Sequence, residues 1–336
     1  MRYFLLLLSF LIVIFQAEYL SEDYLQHNKK IVDRINSLNT TWKAELYLID
    51  VRPLLGVPID PETKTFSKEI LSIPARDITP IPDLPENFDL REEYPYCNSL
   101  FQIRDQANCG SCWAVASVEV MSDRHCIISK GAQKPILSAS DVISCCSLCG
   151  KGCNGGLPYE VFIYWLAAGI PTGGDFGDTE TCIPYFLPKC NHHINDTGLP
   201  DCPENAKEPS CNKTCQEGYD IEYKNDRYFS SEYYTVIGEE EIKTEIYERG
   251  SIESNFVVYE DFSNYKEGVY QHIEGDLLGG HAIKIIGWGV ENGVKYWLCV
   301  NSWNEFWGDN GTFKILRGEN HCGIERNIVT GMPKIN

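Results

Sequence analysis

The cysteines constrain this chain more than any other feature. Fifteen of its 336 residues are cysteines, and all of them lie between Cys97 and Cys322. An odd number leaves at least one thiol without an intramolecular partner. In an oxidising compartment the others would form disulfides, whereas closely spaced cysteines in a reducing one more often bind metal or catalyse a reaction. The compartment therefore decides how the pattern is interpreted.

The N-terminus predicts entry into the secretory pathway. Met1-Arg2-Tyr3 is a basic start, residues 4–15 carry no charge, and Ala17 is a small residue suited to cleavage. We therefore expect a signal peptide at 1–17. The apolar run is shorter than the roughly 20 residues of a membrane span, and we expect no other span. Acceptor sequences for N-glycosylation begin at Asn39, Asn195, Asn212 and Asn310.

The charge excludes some classes of partner. The net charge is −19, which argues against binding to nucleic acid or to an anionic membrane. Residues 1–83 hold 9 basic and 11 acidic residues, and the remainder holds 20 and 37, a balance of −17. Such a chain repels itself less in acid, where carboxylates protonate. An endolysosomal or an extracellular location is compatible with this composition.

The chain divides near residue 84. Residues 21–38 have apolar side chains at helical spacing and predict an amphipathic helix that needs a surface to pack on. A proline-rich linker follows at Pro74, Pro80, Pro82 and Pro85. We interpret the cysteine-free residues 18–83 as a removable pro-segment and 84–336 as the main domain. The alternative is a small N-terminal subdomain that is retained.

The main domain combines helices and strands. Residues 112–128 and 157–168 predict helices, and the region from there to about 220 shows little periodicity. Strands are predicted further on, at 252–259, 282–287, 294–300 and 312–316. A helical first half and a β-rich second half predict an α+β protein with two lobes facing each other across a cleft.

The stretch QANCGSCWAV at 106–115 contains two cysteines three positions apart, Cys109 and Cys112. The pair alone fits half of a zinc site, part of a disulfide framework, or a structural cysteine beside a reactive one. Cys112 lies where a helix should begin, and the N–H groups and dipole of a helix N-terminus favour a thiolate. It is therefore a candidate nucleophile.

A protease-type thiol also needs a base, a residue that orients this base, and donors for the developing oxyanion. His281 follows two glycines at the head of a hydrophobic strand and is the candidate base. Asn301 ends the next strand and could orient the imidazole, with Trp303 shielding their hydrogen bond from water. Gln106, six residues before Cys112, could donate its amide to the oxyanion.

These motifs resemble the papain family of cysteine proteases, and most closely its cathepsin B branch. The stretch CGSCW at 109–113 resembles the nucleophile signature of the family, and GGHA at 279–282 and NSW at 301–303 follow in its order. The resemblance implies a papain-like two-lobed fold, with a helical N-terminal lobe and a β-barrel-like C-terminal lobe. It also implies a zymogen that is inhibited by its own pro-segment and requires neither a cofactor nor a metal. The expected activity is endopeptidase cleavage of proteins and peptides.

An insertion gives a second expected activity. The separation of 169 residues between Cys112 and His281 exceeds the roughly 130–150 usual for the family, and Cys190–Cys202 encloses His192 and His193. From the residues alone this is a surface loop, a metal site or a ligand contact. The stretch resembles the occluding loop of cathepsin B, here about 187–207, whose histidines hold a substrate's C-terminal carboxylate for peptidyl-dipeptidase cleavage.

The anchoring of this loop matches the family pattern at one point and differs from it at another. Asp105 resembles the acidic residue that anchors the loop through the first histidine, His192. The arginine of the family's second anchoring ion pair has no counterpart in 195–201. This stretch is also one residue longer than in the family's loop. We therefore expect a looser loop and relatively stronger endopeptidase activity.

The resemblance also implies a disulfide pattern. Its pairs are Cys97–Cys126, Cys109–Cys153, Cys145–Cys211, Cys146–Cys149, Cys182–Cys215 and Cys190–Cys202. Cys112, Cys299 and Cys322 remain unpaired. A zinc site at Cys145, Cys146 and Cys149 is the competing interpretation, and secretion disfavours it.

Substrate preference follows from three further positions. Gly155 and Gly156 resemble the glycines that hold the substrate backbone, although a simple turn would look the same. Asn327 takes the place of the acidic residue that accepts arginine at the second position before the scissile bond. We therefore expect hydrophobic residues to be favoured there.

Two other functions are the alternatives to a protease. A catalytically inactive papain-like binding protein would be expected to have lost Cys112, His281 or Gln106, and a disulfide-rich structural or adhesion protein would need none of them. The favoured interpretation is a monomeric protease that cystatin-type inhibitors could bind.

Overall fold

The computed structural model describes residues 22–335, except 48, 61, 64, 67–72, 193–196, 204 and 205. Within these residues the helices are α1 (Glu22–Ser37), α2 (Leu90–Glu93), α3 (Cys112–Ile128), α4 (Ala139–Cys145), α5 (Pro158–Ala168) and α6 (Glu239–Arg249). The strands are β1 (Trp42–Ala44), β2 (Ile59–Asp60), β3 (Thr65–Phe66), β4 (Phe88–Asp89), β5 (Ile170–Pro171), β6 (Arg227–Tyr228), β7 (Ser230–Tyr234), β8 (Ile252–Tyr259), β9 (Tyr265–Tyr270), β10 (Leu277–Glu291), β11 (Val294–Val300), β12 (Thr312–Leu316) and β13 (Ile328–Pro333).

Helix α3 is the centre of the helical lobe. Residues 112–127 are all buried, as is expected of a helix that has apolar residues on every side. Helices α4 and α5 pack against it around a hydrophobic core of its own. Helix α5 begins at Pro158 and ends before Gly169, whose φ of +70° terminates the helix. The helices predicted at 112–128 and 157–168 are confirmed.

A nine-stranded sheet forms the β-rich lobe. Its strand order is β1-β9-β12-β11-β10-β8-β13-β7, with β4 also paired to β10. Neighbours are antiparallel except β9 and β12. The predicted α+β architecture is confirmed. The path of described strands has two free ends, so "barrel-like" describes this lobe only loosely.

The N-terminal segment is built into the β-rich lobe. Strand β1 pairs with β9 at the sheet edge, where Trp42 lies opposite Gly268. Trp42 is almost fully buried and packs its ring against those of Tyr265 and Tyr270. Helix α1 contributes Ile31 and Ile35 to the same core. The surface that the amphipathic helix was expected to need is therefore the β-rich lobe.

Six disulfides join described residues, and they are the pairs that the resemblance implies. Cys112, Cys299 and Cys322 are unpaired. Cys145, Cys146 and Cys149 are all in disulfides, so they offer no thiolate to zinc. No helix among the described residues is long and apolar enough to cross a membrane.

Candidate active site

The two cysteines of the 106–115 stretch have different roles. Cys109 is bonded to Cys153, and the N–H of Gly110 donates to the carbonyl of Cys153 at 3.0 Å. Cys112 is a buried free thiol at the first position of α3. The disulfide therefore fixes the loop immediately before the candidate nucleophile.

The thiol of Cys112 is covered in this form of the protein. Its Sγ accepts a hydrogen bond from the N–H of Gly56, 3.2 Å away. Burial raises the pKa of the thiol to about 11, and the N–H groups of Ala282, Gly56 and Trp113 offset only part of this rise. The helix N-terminus alone predicts a lowered pKa. Burial outweighs it, so the sulfur is protonated at neutral pH.

His281 and Asn301 are in contact. Asn301 follows β11, and its Oδ1 lies 2.7 Å from Nε2 of His281 on β10. The ring of Trp303 lies 4.8 Å from the imidazole, centroid to centroid. Burial lowers the pKa of His281 to about 4, with a partial offset from the bond to Asn301. Nδ1 of His281 has no hydrogen-bond partner among the described residues, which leaves it free to exchange a proton.

Gln106 presents its amide close to the nucleophile's loop. Its Nε2 donates to the carbonyl of Cys109 at 2.7 Å and to that of Leu54 at 2.8 Å. Its Oε1 accepts from the hydroxyl of Ser302 at 2.7 Å. This bond fixes the orientation of the amide, so that the N–H end points at the cleft. The carbonyl of Leu54 therefore already accepts from the amide that we expected to donate to an oxyanion.

The N-terminal segment passes between the two lobes at residues 54–57. The carbonyl of Gly56 accepts from the N–H of Gly156, 2.8 Å away in the helical lobe. The N–H of Val57 donates to the carbonyl of Gly280, 3.1 Å away in the β-rich lobe. A Cβ on Gly56 would overlap the carbonyl oxygen of Gly110 and lie 3.2 Å from Cys112 Sγ. Only glycine fits at this point of the segment.

The glycines 155 and 156 lie beside this segment. Gly155 has a φ of +98°, and a Cβ there would lie 2.8 Å from the carbonyl oxygen of Gly56. A Cβ on Gly156 would lie 2.6 Å from the carbonyl oxygen of Cys149. At Gly155 the absent side chain leaves room for the backbone of Gly56, and at Gly156 it leaves room for Cys149 and Trp113 of the same lobe.

Asp105 and His192 also meet. His192 Nε2 lies 3.1 Å from Asp105 Oδ1, and both side chains are buried. Burial alone would raise the pKa of Asp105, but the contact with His192 and the N–H groups of Cys190 and Ala107 hold it below its usual value. His193 lies outside the described residues.

The described residues of the loop, which exclude 193–196, offer a metal no usable ligand set. Sγ of Cys190, Sγ of Cys202 and the ring of His192 lie within 4.8 Å of one another. The two sulfur atoms are bonded to each other and therefore provide no thiolate. The imidazole of His192 is what remains among these described atoms, and it faces Asp105.

Asn327 lies close to a second carboxamide. Its backbone carbonyl accepts from the N–H of Asn255 at 3.1 Å, and its Nδ2 donates to the carbonyl of Gly323 at 3.0 Å. Asn255 is buried opposite Ala282, the neighbour of His281, and its Oδ1 has no hydrogen-bond partner among the described residues. Asn255 and Asn327 therefore place two carboxamides side by side, and position 327 contributes no carboxylate.

Sequence reasoning missed Gly56 and Ser302, which contact Cys112 and Gln106. Ser302 lies within the NSW motif, so its position was a usable signal. Gly56 occurs in a short apolar stretch without any distinguishing pattern.

Comparisons with known proteins agree on one family. The sequence profile of the papain family of cysteine proteases matches residues 84–332. Cathepsin B-like cysteine proteinase 3 of Caenorhabditis elegans is 44% identical over 322 residues, which covers 91% of this chain and 83% of the relative. Cathepsin B-like cysteine proteinase of Schistosoma japonicum is 48% identical over 254 residues, covering 75% and 74%.

The solved structures include zymogens. ProCathepsin B S9 from Trypanosoma congolense superposes with a TM-score of 0.76 at 36% identity, covering 91% of this chain and 98% of that one. The proform of the ragweed pollen protease Amb a 11 has a TM-score of 0.68 at 20% identity, covering 94% and 90%. The second likeness concerns the fold alone.

Proposed function

This chain belongs to the papain family of cysteine proteases, as a cathepsin B-like member with the structure of a proenzyme, and on that basis we propose a specific activity. It is a secreted zymogen that, once activated, cleaves peptide bonds with a Cys112–His281 thiolate–imidazolium pair. It acts as an endopeptidase and, through the 190–202 loop, as a peptidyl-dipeptidase. Residues 1–17 are the signal peptide, 18–83 the inhibitory propeptide and 84–336 the peptidase domain.

The observation that carries this proposal is the occupation of one cleft by residues 54–57. The propeptide contacts the thiol of Cys112, the amide of Gln106 and the backbone of Gly156 at the same time. These are the groups that a protease needs for attack, oxyanion stabilisation and substrate alignment. The His281–Asn301 hydrogen bond completes the set.

The reaction follows from these contacts once the cleft is open. The Cys112 thiolate attacks the scissile carbonyl carbon, and the amide of Gln106 with the Cys112 N–H stabilises the oxyanion. His281 then protonates the leaving amine, and the C–N bond breaks to leave a thioester. Water, deprotonated by His281, attacks the thioester and releases the acid. Asn301 and Trp303 hold the imidazole in place throughout.

The proposed environment is the secretory pathway, with the lysosome or the extracellular space as the destination. Protein and peptide substrates, the propeptide and cystatin-type inhibitors are the partners of a monomeric enzyme. The carboxylate-binding histidines would be His192 and His193.

An epoxide reagent specific for activated thiols tests the proposal. In the covered form the pKa of His281 is about 4, below its usual 6.5, so protonation favours the open form. The stability of the covered form is therefore complete above pH 6.5 and is lost as the pH falls toward 4. We expect the labelling rate of the intact chain to rise over this interval, with the adduct on Cys112.

The control is Cys322, which is also unpaired and is partly exposed. It should stay unlabelled, because labelling requires an activated thiolate rather than access alone. An activated protein without an adduct on Cys112 would reject the enzymatic function.

Asn327 should determine the preference at the second position before the scissile bond. We expect kcat/KM to favour phenylalanine over arginine, because no carboxylate at 327 pairs with the guanidinium. Asn327→Glu should raise kcat/KM for the arginine substrate by about 10- to 100-fold, the value of one charge-assisted hydrogen bond. The phenylalanine substrate is the control. A wild-type enzyme that strongly prefers arginine would contradict this assignment.

A further inference from the structure

The turn after β11 contacts the 190–202 loop through Asn304. This residue is fully buried and adopts a φ of +58°. Its Nδ2 donates to Asp105 Oδ2 at 3.1 Å and to the carbonyl of Cys190 at 3.0 Å. Its Oδ1 accepts from the N–H of Phe306 at 3.0 Å. One side chain thus joins the turn after β11 to Asp105 and to Cys190, the first cysteine of the loop.

Asp105 is the residue on which these contacts converge. Its Oδ1 accepts from the N–H of Ala107 at 2.8 Å and faces His192. Its Oδ2 accepts from the N–H of Cys190 at 3.0 Å and from Asn304. The carboxylate therefore holds the loop at two points, and the amide of Asn304 fixes the orientation of the carboxylate itself.

The same turn supplies an ion pair. Glu305 Oε2 lies 3.2 Å from Nζ of Lys189, the residue before Cys190. Both side chains are partly exposed, so this contact contributes little alone. Together with Asn304 it anchors the loop on the turn after β11. This anchor lies at a different place from the arginine pair that the sequence lacks.

We infer that Asn304 is a positioning residue that fixes the start of the 190–202 loop at Cys190 and His192, and so sets the ratio of peptidyl-dipeptidase to endopeptidase activity. The inference rests on the peptidyl-dipeptidase activity proposed above. Removing the amide leaves Asp105 Oδ2 and the Cys190 carbonyl each short of one donor inside a buried site. The loop then becomes free to move away, which costs binding of a terminal carboxylate but not attack on an internal bond.

Two variants and one control test this role in the activated enzyme. Asn304→Gly keeps the backbone conformation and removes the amide. Asn304→Asp keeps the acceptor for Phe306 but places a second carboxylate against Asp105. Asn292→Gly is the matched control, because Asn292 also has a positive φ, of +52°, in the β10–β11 turn. The substrates are one peptide with a free C-terminus and the same peptide amidated.

We expect Asn304→Gly to lower kcat/KM for dipeptide release by about tenfold, mostly through KM, as the loss of a buried charge-assisted hydrogen bond implies. Cleavage of the amidated peptide and labelling of Cys112 by iodoacetamide should stay at wild-type rates. Asn304→Asp should lose dipeptide release at neutral pH and regain it as the pH falls, because a protonated carboxyl can donate to Asp105. Asn304→Gly should show no such recovery.

Hydrogen exchange of residues 189–203 gives a readout that does not depend on activity. Exchange should be faster in Asn304→Gly than in the wild type or in Asn292→Gly. Unchanged exchange, or an equal fall with both substrates and in labelling, would overturn the inference. A wild-type enzyme that never releases dipeptides would refute the proposed peptidyl-dipeptidase, while the exchange data would still decide the role of Asn304.

Discussion

Replacing His281 by alanine is expected to lower kcat/KM of the activated enzyme by about 10³- to 10⁴-fold, the upper range for general acid–base catalysis. The imidazole both takes the proton from Cys112 and returns one to the leaving amine. Without it the thiol keeps its proton at the acidic pH at which the cleft opens. Initial rates on a fluorogenic peptide give the number.

A second histidine of the β-rich lobe is the matched control. His272 lies 3.1 Å from Asp261 and stacks on Tyr259, so its environment is also built by neighbouring side chains. His272→Gln should change kcat/KM by less than about threefold, as expected of a substitution away from the site. Similar losses in both variants would mean that His281 acts through stability and not through proton transfer.

Replacing Gly56 by valine should weaken inhibition by the propeptide by about 10²-fold or more. A side chain there overlaps the carbonyl of Gly110, and such overpacking typically costs 1–3 kcal/mol. Displacing the segment also breaks the bonds to Cys112 and Gly156, each with a net value of about 1 kcal/mol. The labelling rate of Cys112 in the unprocessed chain at pH 7 measures the effect directly.

Arg52→Ala provides the comparison in the same segment. Arg52 is exposed and its ion pair is with Asp50, inside the segment itself. Its loss should leave the labelling rate within about twofold, because exposed pairs contribute little. If Gly56→Val also leaves the rate unchanged, residues 54–57 are not what blocks the cleft.

Short motifs made part of this site predictable. Each of the three residues lies in a distinct motif: Cys112 begins a helix, His281 lies in a strand, and Asn301 follows the end of one. The local sequence therefore determines the position of each side chain in the fold. Helix α6 also had local signals, since it runs between Gly238 and Gly250 with Ile242 and Ile246 at helical spacing. The predicted helices nevertheless do not include α6.

Long-range contacts were not predictable in the same way. The high pKa of Cys112 arises from its complete burial in the folded chain, and no helix-start argument contains that information. The role of Asn304 depends on contacts with residues 105 and 190, which are distant in the chain. The strand β1 is only three residues long, and its pairing with β9 depends on the whole lobe.

The pairing of β1 with β9 has a consequence for the life of the molecule after activation. Excision of the proposed propeptide would remove a strand from the sheet edge and would separate Trp42 from the rings of Tyr265 and Tyr270. The mature enzyme would then lack part of the core around which it was assembled. We therefore expect that, once denatured, it cannot refold by itself, whereas the intact chain can. Activation would thus be a one-way step, and the working lifetime of each enzyme molecule would depend on its rate of unfolding.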